Sequence, residues 1–362
     1  MMTDDRAGPF RWAILGTGDV ARKFVLDLRQ LGGRAVAQVV ASRDPGKARA
    51  FAASLGLPQA APDYAAAIAA DVDGVYVATP PALHEPQALA AIAAGRAVLI
   101  EKPLALDAAS ALRIAGAAEA AGVFCMEALW TRFQPLPQAI RARIEAGDLG
   151  EIRGLDARFL AANRPEPGQS LFDPARGGGA LRHRGIYPLS LARFWLGPVA
   201  EAQAHVRRGE TGVDEECLLT LRHASGALSS LRSSLRVQGP EGATIHGTRG
   251  TLVIEGPIYR PTGAVLWPTR PSGGAAGGPR RFEAFRESAT GLGLSRALAG
   301  LRAGLGRGRQ RIRAPFAGNG YHYQAEAVRQ AVAAGQTGSA LMPLAESLEI
   351  MAIVEAALAQ AG

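Results

Sequence analysis

The stretch "RWAILGTGDVARKF", residues 11–24, contains an apolar run, two closely spaced glycines and a pattern with helical spacing. An apolar run that ends in Gly and passes into a helix predicts a buried strand followed by a tight turn. Gly16 permits the turn, Gly18 lets backbone approach a pyrophosphate, and Ala21 lets the helix pack closely, while the helix N-terminus stabilises negative charge. The stretch favours dinucleotide binding over a plain glycine turn, and its candidate cofactor-binding residues are Gly16, Thr17, Gly18, Asp19, Val20 and Ala21.

The same alternation of strand and helix patterns continues through the first 126 residues. Continuous apolar runs predict buried strands at 35–41, 74–80, 97–100 and 123–126. Runs with helical spacing lie between them, at 45–56, 63–70, 86–95 and 107–122. Strands that are apolar on both faces and are joined by helices predict a parallel sheet covered on both sides, in a doubly wound α/β Rossmann domain.

The pattern changes after about residue 130. Strand-like runs follow one another with turn residues between them, which predicts a largely antiparallel, open sheet in an α+β domain. Helical patterns remain at 135–146, 183–196, 321–335 and 343–360. We expect a dinucleotide-binding domain over 1–128 and a substrate-binding, dimerising domain over 129–362, with 268–315 as a basic, Pro/Gly/Arg-rich insertion or loop.

Composition is that of an ordinary globular protein, with 48% hydrophobic and 20% charged residues. No apolar run is long enough to span a bilayer, and the first residues lack the pattern of an export signal. The two Cys, at 125 and 217, form neither a disulfide framework nor a metal-ligand cluster. We expect a cytoplasmic protein with no membrane contact and no metal.

The net charge of +8 is concentrated in one segment. Residues 260–315 hold eleven Arg and two Glu, so the rest of the chain is close to neutral. No zinc finger, basic zipper or aromatic RNA-binding motif accompanies this run. The pattern favours a solvated basic segment, peripheral to catalysis, over a nucleic-acid partner.

The second predicted strand is followed by Ser42 and Arg43, with Asp44 only after them. An NAD enzyme usually places Asp or Glu at the end of this strand, where it binds both ribose hydroxyls. A hydroxyl and a guanidinium suit a 2′-phosphate instead, because Arg presents a planar fork of donors. The sequence predicts NADP in preference to NAD, and an exposed Arg in an Arg-rich chain is the alternative.

Polar residues also follow the strand pattern at 74–80. Thr79, Pro80 and His84 come at its carboxyl end, where ligands bind in such sheets. They are candidate cofactor-binding residues. A surface or capping role is an equal alternative for His84.

The run at 97–100 passes directly into Glu101-Lys102-Pro103. Only three of the 40 basic residues in the chain are Lys, at 23, 47 and 102. A desolvated Lys shifts its pKa and exchanges a proton, which Arg does not. We therefore expect Lys102 to be functional, and a surface Lys is the alternative.

Several segments together resemble the glucose–fructose oxidoreductase, inositol dehydrogenase and rhizopine-catabolism (Gfo/Idh/MocA) family. They are the glycine motif, "ATPPALHEPQALAAIAAGRAVLIEKPLAL" (78–106), "GGGALRHRGIYPLS" (177–190) and the ending from 321 onwards. The stretch "MEALWTRFQP" (126–135) is most similar to the branch of dimeric dihydrodiol dehydrogenase and NADP-dependent xylose dehydrogenase. The resemblance covers nearly the whole chain except roughly 268–315.

The resemblance implies a nucleotide-binding domain, then a sheet domain that often forms the dimer interface. In this family the Glu-Lys-Pro lysine lies between nicotinamide and substrate. Lys102 is therefore a candidate catalytic, cofactor-binding and substrate-binding residue, and Glu101 a candidate cofactor contact. We expect Tyr187 to donate and accept the proton, because a nearby ammonium lowers the pKa of a phenol. Transfer by Lys102 itself is the alternative.

His183 departs from the family's pattern, in which Asp usually stands at this position. It lies four residues before Tyr187, on one helix face, and is a candidate catalytic and substrate-binding residue. An imidazole in place of a carboxylate, between Arg182 and Arg184, removes negative charge near Lys102. The change favours an anionic substrate over the usual neutral polyol. A degenerate site and a packing His are the alternatives.

Trp130, Arg132 and Phe133 follow the last strand of the first domain, at the expected mouth of the cleft. Aromatic faces stack on sugar rings, and Arg binds hydroxyls or carboxylates. These three and Tyr187 are candidate substrate-binding residues. Core packing is the alternative for the two aromatic residues Trp130 and Phe133.

The sequence thus predicts an NAD(P)-dependent oxidoreductase that transfers hydride between nicotinamide and a sugar, a sugar derivative or a cyclic diol. One alternative is a nucleotide-binding regulatory protein with a degenerate catalytic site. Another is an aldose–aldose oxidoreductase that holds NADP tightly through both half-reactions. We expect a small-molecule substrate and a homodimer or homotetramer, because an open sheet face needs a cover.

Overall fold

Six parallel strands form the first sheet, in the order β3-β2-β1-β4-β5-β6. The computed structural model describes residues 8–166, 169–269, 285, 288–294 and 308–360. The strands are β1 (Phe10–Leu15), β2 (Ala35–Ala41), β3 (Gln59–Ala60), β4 (Gly74–Val77), β5 (Ala97–Glu101) and β6 (Cys125–Ala128). The strand order reverses between β1 and β4, and ligands bind at this position in doubly wound sheets.

Five helices connect these strands. They are α1 (Asp19–Leu28), α2 (Pro45–Leu55), α3 (Tyr64–Ala69), α4 (His84–Ala93) and α5 (Ala108–Ala121). Asp44, Asp63 and Asp107 cap three of them by accepting backbone N–H groups of the first turn. The predicted doubly wound parallel sheet is confirmed.

The second sheet has eight strands, in the order β14-β13-β12-β11-β7-β10-β9-β8. Its strands are β7 (Ile152–Leu160), β8 (Val199–Arg208), β9 (Asp214–His223), β10 (Leu228–Ser234), β11 (Gly242–Gly247), β12 (Gly250–Glu255), β13 (Gly263–Pro268) and β14 (Gln310–Arg313). All neighbours pair antiparallel except β7 and β10, which pair parallel. The predicted α+β class with a largely antiparallel sheet is confirmed.

Four further helices pack around the two sheets: α6 (Pro135–Glu145), α7 (Ile186–Leu196), α8 (His322–Ala333) and α9 (Leu344–Ala359). Nine of the eleven residues of α7 are apolar or aromatic, and all but Arg193 are buried, since the helix lies between the second sheet and α9. In the part of the chain that the structure describes, no helix is both long and apolar enough to cross a membrane.

The segment predicted as an insertion, 268–315, is only partly described. Its last part is not a loop, because Gln310–Arg313 forms the edge strand β14 beside β13. The Arg309 guanidinium lies 3.6 Å from the centre of the Trp267 ring. Most of the basic run falls in 270–284, 286–287 and 295–307, outside the described residues.

A π-helical turn over Leu181–Gly185 precedes α7. The sequence predicted an ordinary helix from about 183, with His183 and Tyr187 on one α-helical face. The wider turn changes the local register, and such turns occur frequently at functional sites. It places His183, Arg184 and Tyr187 against one cavity.

Candidate active site

A cavity of about 300 Å³ lies near the carboxyl ends of β5 and β6. Its walls come from both halves of the chain: α1, the segment after β6, β7, the π-helical turn, the loop after β12 and the start of α8. Its lining residues are Lys23, Trp130, Phe159, Leu171, His183, Arg184, Tyr187, Tyr259 and Tyr321. The size suits part of a small molecule.

Lys102 follows β5 and lies against the residues that line this cavity. Its Nζ donates to the carbonyl oxygen of His183 at 3.3 Å and lies 5.3 Å from the centre of the Tyr187 ring. Burial lowers the pKa of the Lys102 ammonium, and the neighbouring Glu101 only partly offsets this. The Lys102–Pro103 bond is cis.

Glu101 supports this lysine from within the sheet. The Tyr76 hydroxyl donates to Glu101 Oε1 at 2.5 Å, and the Lys102 backbone N–H donates to Oε2 at 3.2 Å. Burial raises the pKa of the Glu101 carboxyl. Both oxygens are engaged within the protein, so Glu101 helps to position Lys102, and its predicted contact with a cofactor stays a prediction.

His183 has a buried ring nitrogen, Nε2, that makes no hydrogen bond within the described part of the chain. Burial, followed by the charges of Lys102 and Arg184, lowers the pKa of His183 to about 3. The imidazole is therefore neutral near pH 7. A neutral ring with an unpartnered nitrogen is suited to a hydrogen bond with a ligand hydroxyl.

The pKa of the Tyr187 phenol shifts in the direction opposite to the prediction. Its hydroxyl oxygen accepts from Trp130 Nε1 at 3.3 Å, and burial raises the pKa of the phenol above its ordinary value. Lys102 lies over the ring, and its recorded hydrogen bond goes to the His183 carbonyl instead. The expected lowering of the Tyr187 pKa by Lys102 is wrong for this arrangement.

Aromatic rings form most of the cavity wall. Trp130 and Tyr321 stack with ring centres 4.4 Å apart, and Phe159 and Tyr259 stack at 5.1 Å. The centre of the Tyr187 ring lies 5.8 Å from that of Phe159 and 6.1 Å from that of Tyr259. Rings arranged in this way bind the apolar faces of cyclic molecules.

Tyr321 is held in this wall by the first domain. Asp27, on α1, accepts the backbone N–H groups of Tyr321 and Asn319 at 2.8 and 2.9 Å. The pKa of Asp27 is below its ordinary value, because these and other hydrogen bonds outweigh the effect of burial. The contact ties the start of α8 to the helix that follows the glycine turn.

Two predicted substrate contacts lie elsewhere. Arg132 is fully buried; its Nη1 lies 2.5 Å from Glu346 Oε2, and its other donors reach the Ser190 hydroxyl and backbone carbonyls. Phe133 is 6% exposed and packs in the core. The short 3₁₀ turn after β6 places both side chains inward. Of the three predicted contacts on this turn, Trp130 is the one among the described lining residues of the cavity.

The glycine turn has the shape that a pyrophosphate needs. Gly16 has φ +115°, and a Cβ placed on it would lie 2.5 Å from the carbonyl oxygen of Ala78. A Cβ on Gly18 would meet nothing within 4 Å, so the backbone there faces open space. The first turn of α1 has no side-chain cap. Its N–H groups are therefore available to an anion, and the site fits a dinucleotide.

Two charged residues, Arg43 and Asp44, follow β2 next to the glycine turn. Arg43 is exposed and makes no hydrogen bond with the described residues. Asp44 Oδ1 accepts the backbone N–H groups of Gly46 and Lys47, so it caps α2. Its carboxylate is therefore committed to the helix.

Thr79 and His84 connect neighbouring strand ends. The Thr79 hydroxyl donates to Gln87 at 2.6 Å. His84 is fully buried, and its two ring nitrogens lie 2.8 and 2.9 Å from the carbonyl oxygens of Thr79 and Pro103. His84 therefore fixes the end of β4 against the turn after Lys102, the packing role that was its alternative. Among the residues the structure describes, no His, Cys, Asp and Glu cluster is able to hold a metal.

Sequence reasoning missed several lining residues, namely Lys23, Phe159, Leu171, Arg184, Tyr259 and Tyr321. Two signals pointed to part of this set. Lys23 is one of only three lysines, and Arg184 adjoins His183 in the segment that resembles the family. Tyr321 begins the C-terminal segment that resembles the family. The two rings Phe159 and Tyr259 had no local signal, since they meet only through the fold.

Comparison with known proteins gives two family matches. Residues 10–129 match the model described as an oxidoreductase family with an NAD-binding Rossmann fold, and residues 138–253 match the GFO/IDH/MocA C-terminal domain. The trans-1,2-dihydrobenzene-1,2-diol dehydrogenase of Sus scrofa is 35% identical over 264 residues, which is 71% of this chain and 77% of the relative.

Two solved structures share the fold. A 3-ketoreductase from Actinomadura kijaniata, in complex with NADP and TDP-benzene, superposes with a TM-score of 0.78 at 24% identity and covers 98% of both chains. A levoglucosan dehydrogenase in complex with NADH and levoglucosan has a TM-score of 0.81 at 20% identity, covering 98% of this chain and 97% of that one. The matches to both domains and the identity to dihydrodiol dehydrogenase show that this chain belongs to the Gfo/Idh/MocA family of oxidoreductases.

Proposed function

We propose that this protein is an NADP-dependent dehydrogenase or reductase that acts on a CH–OH group of a sugar, a sugar derivative or a cyclic diol. The observation that carries the proposal is the half-buried Lys102, which lies at the carboxyl end of β5 against an aromatic cavity. The similarity to dihydrodiol dehydrogenase supports a cyclic diol. The aromatic wall suits either kind of ring.

When bound, the nicotinamide of the cofactor supplies or accepts the hydride. The glycine turn over Gly16–Ala21 holds the pyrophosphate through backbone N–H groups. Trp130 and Tyr187 pack against the ring of the substrate, and His183 Nε2 accepts a hydrogen bond from one of its hydroxyls. These contacts orient the carbinol carbon and keep water from it.

Lys102 moves the proton in this mechanism. In the oxidation direction the hydroxyl proton passes to a neutral Lys102 Nζ as the C=O bond forms, and in reduction the ammonium returns it. Burial lowers the pKa of Lys102 and raises that of Tyr187, so Lys102 is the better matched of the two near neutral pH. Tyr187 donates a hydrogen bond to the substrate oxygen.

Arg43 and Ser42 bind the 2′-phosphate of NADP. The free guanidinium of Arg43 supports this part of the proposal, and so does the commitment of Asp44 to capping α2. A carboxylate at this point would repel a phosphate and bind ribose hydroxyls instead.

The assembly, the cell compartment and the domain division are parts of the same proposal. The outer face of the second sheet carries a groove of about 520 Å³ with Asp156, Glu201 and Arg222 in its lining, and a partner copy would cover it in a homodimer or homotetramer. Both cysteines are free and buried, which is consistent with the cytoplasm. The division at 128/129 follows the end of β6.

A turnover screen tests the proposed activity. Purified protein is mixed with NADP or NAD and with cyclic diols, aldoses and uronates, and nicotinamide absorbance is followed. We expect turnover with NADP, and a loss of about 10²- to 10⁴-fold in Lys102→Met with unchanged NADP affinity. NADP binding without turnover across the panel would favour a regulatory protein. Hydride exchange between two aldoses, with NADP retained through gel filtration, would favour an aldose–aldose oxidoreductase.

A further inference from the structure

Among the described residues that line the cavity beside Lys102, some side chains are cationic and none is acidic. Its charged lining residues are Lys23 and Arg184. Lys23 is already paired, since its Nζ lies 2.5 Å from Asp19 Oδ2. Arg184 is therefore the cation in this lining that is not neutralised by an adjacent carboxylate.

Arg184 is held in place by neutral groups. Its Nη2 donates to the Asn163 side-chain oxygen, and its guanidinium carbon lies 4.9 Å from the centre of the Phe159 ring. Its Nε is buried without a partner, and no hydrogen bond from Nη1 to the described residues is found. No described carboxylate oxygen lies within 4.0 Å of it, although the charge of Glu241 acts on it from further away.

We propose that Arg184 binds a carboxylate of the substrate, so that the substrate is a cyclic diol or sugar that carries an acid group. This inference rests on the proposed function, because it takes the cavity as the substrate site. One free guanidinium matches one monoanion, and its planar fork fits a carboxylate. A phosphate dianion would need a second free cation. The other cation among the described lining residues, Lys23, is paired with Asp19.

The desolvation of Arg184 strengthens this interaction. Arg184 is half-buried with its Nε out of contact with solvent, and this burial lowers the pKa of the guanidinium. An arriving carboxylate would supply the missing partner at lower dielectric than in water. The aromatic walls then bind the ring, while Lys102 and His183 reach its hydroxyls.

Arg182 provides a matched control two residues away. It too has a buried, unpartnered Nε, but it does not line the cavity. Charges from Asp214, Glu355 and Asp107 act on it, so it faces acidic groups of the protein. A general effect of removing one positive charge from the π-helical turn would appear in both variants, whereas loss of a carboxylate contact would appear in one.

The test compares two ligands of equal shape, cyclohexanecarboxylate and the neutral cyclohexanecarboxamide, by calorimetry on the full chain with NADP present. We expect the wild-type protein and Arg182→Gln to bind the acid more tightly than the amide by roughly tenfold to a hundredfold. In Arg184→Gln this preference should fall to about twofold or less, and Arg184→Lys should keep part of it. If Arg184→Gln does not fold, Arg184→Lys is the deciding variant.

Equal affinity for the two ligands in the wild-type protein would overturn the inference, and so would a preference that survives in Arg184→Gln or an absence of binding by either ligand. The proposed function is tested separately, by NADP binding and turnover of neutral diols. Turnover of neutral diols without any acid preference would leave the proposed function standing and the Arg184 site refuted. If the protein binds no NADP but shows an acid preference that depends on Arg184, the Arg184 site stands and the proposed function is refuted.

Discussion

The Lys102 ammonium lies over the Tyr187 ring, 5.3 Å from its centre, and its hydrogen bond goes to the His183 carbonyl oxygen. The face of an aromatic ring attracts a cation, so the tyrosine holds the lysine in place without sharing a proton with it. Burial then acts on the two groups in opposite directions, lowering the pKa of Lys102 and raising that of Tyr187. This difference supports the proposed roles, in which Lys102 transfers the proton and Tyr187 donates an orienting hydrogen bond.

The pH dependence of alcohol oxidation should show whether Lys102 or Tyr187 transfers the proton. Oxidation needs a neutral Lys102, so its rate should rise with pH through a pKa below the ordinary lysine value of 10.5. The rate–pH profile of Tyr187→Phe should keep that rising limb at reduced turnover, because the phenol titrates above its ordinary value of 10.0. In Lys102→Met the limb should disappear. A limb that survives in Lys102→Met and vanishes in Tyr187→Phe would reverse the assignment.

His183→Asp should change which substrates are used. A carboxylate at this position would accept hydrogen bonds from neutral hydroxyls and would raise the pKa of the nearby Lys102. We expect higher kcat/KM on neutral polyols and a shift of the oxidation limb to higher pH. His183→Asn, which is similar in size and uncharged, is the control for the charge. Identical profiles for the two variants would show that charge at this position does not matter.

Arg43→Ala should weaken NADP far more than NAD. The guanidinium is exposed and free, so its loss removes a charge-assisted hydrogen bond without breaking contacts in the protein. Such a bond is worth about 1.5–3 kcal/mol, or roughly tenfold to a hundredfold in affinity. Fluorescence titration with both reduced cofactors measures the difference. An equal loss for both would refute the 2′-phosphate contact.

Much of the fold could be predicted because its signals are local. Continuous apolar strands joined by helices implied the parallel sheet, and Gly16 marked its first turn. The parallel pairing of β7 with β10 had no such signal, since pairing depends on residues about 70 positions apart, from Gly154 to Leu228. The edge strand β14 was hidden in a basic segment whose composition resembles a loop.

The residues of the candidate site were predictable where a sequence motif identified them. They were not predictable where the tertiary fold determines which way a side chain points. Lys102 was identified from its motif and its rarity in the chain. The inward direction of the Arg132 side chain had no sequence signal, and its partner Glu346 lies 214 residues away. The contact between Tyr321 and Trp130 had none either, because the two residues are far apart in the chain.

Glu127 should make stability fall as pH rises. This fully buried carboxyl accepts the Leu104 N–H at 2.9 Å, its second oxygen has no described partner, and burial raises its pKa from 4.5 to about 7. A raised folded pKa means that the protonated acid favours the folded state. Its contribution is complete below pH 4.5 and is lost as pH rises through about 7. Denaturant unfolding across this range should show the decline.

Glu127→Gln is the matched variant, because the amide oxygen still accepts from Leu104. Its unfolding free energy should vary less between pH 5 and 8 than that of the wild-type protein, and it should be the more stable of the two at pH 8. Parallel curves for the two proteins would show that Glu127 does not control this dependence.

Removing the Glu346 carboxylate from its ion pair with the buried Arg132 should lower the free energy of unfolding considerably. Arg132 is fully buried, and Glu346 Oε2 lies 2.5 Å from its Nη1, so removing the carboxylate leaves an uncompensated charge in the core. Glu346→Ala should therefore lose about 3–5 kcal/mol of unfolding free energy. The double variant Arg132→Met/Glu346→Ala should recover part of that loss, because no unpaired charge remains.

Since Arg132 does not line the cavity, folded Arg132→Met/Glu346→Ala should keep its substrate KM within a few-fold. A selective rise in substrate KM with unchanged stability would instead return Arg132 to the substrate site.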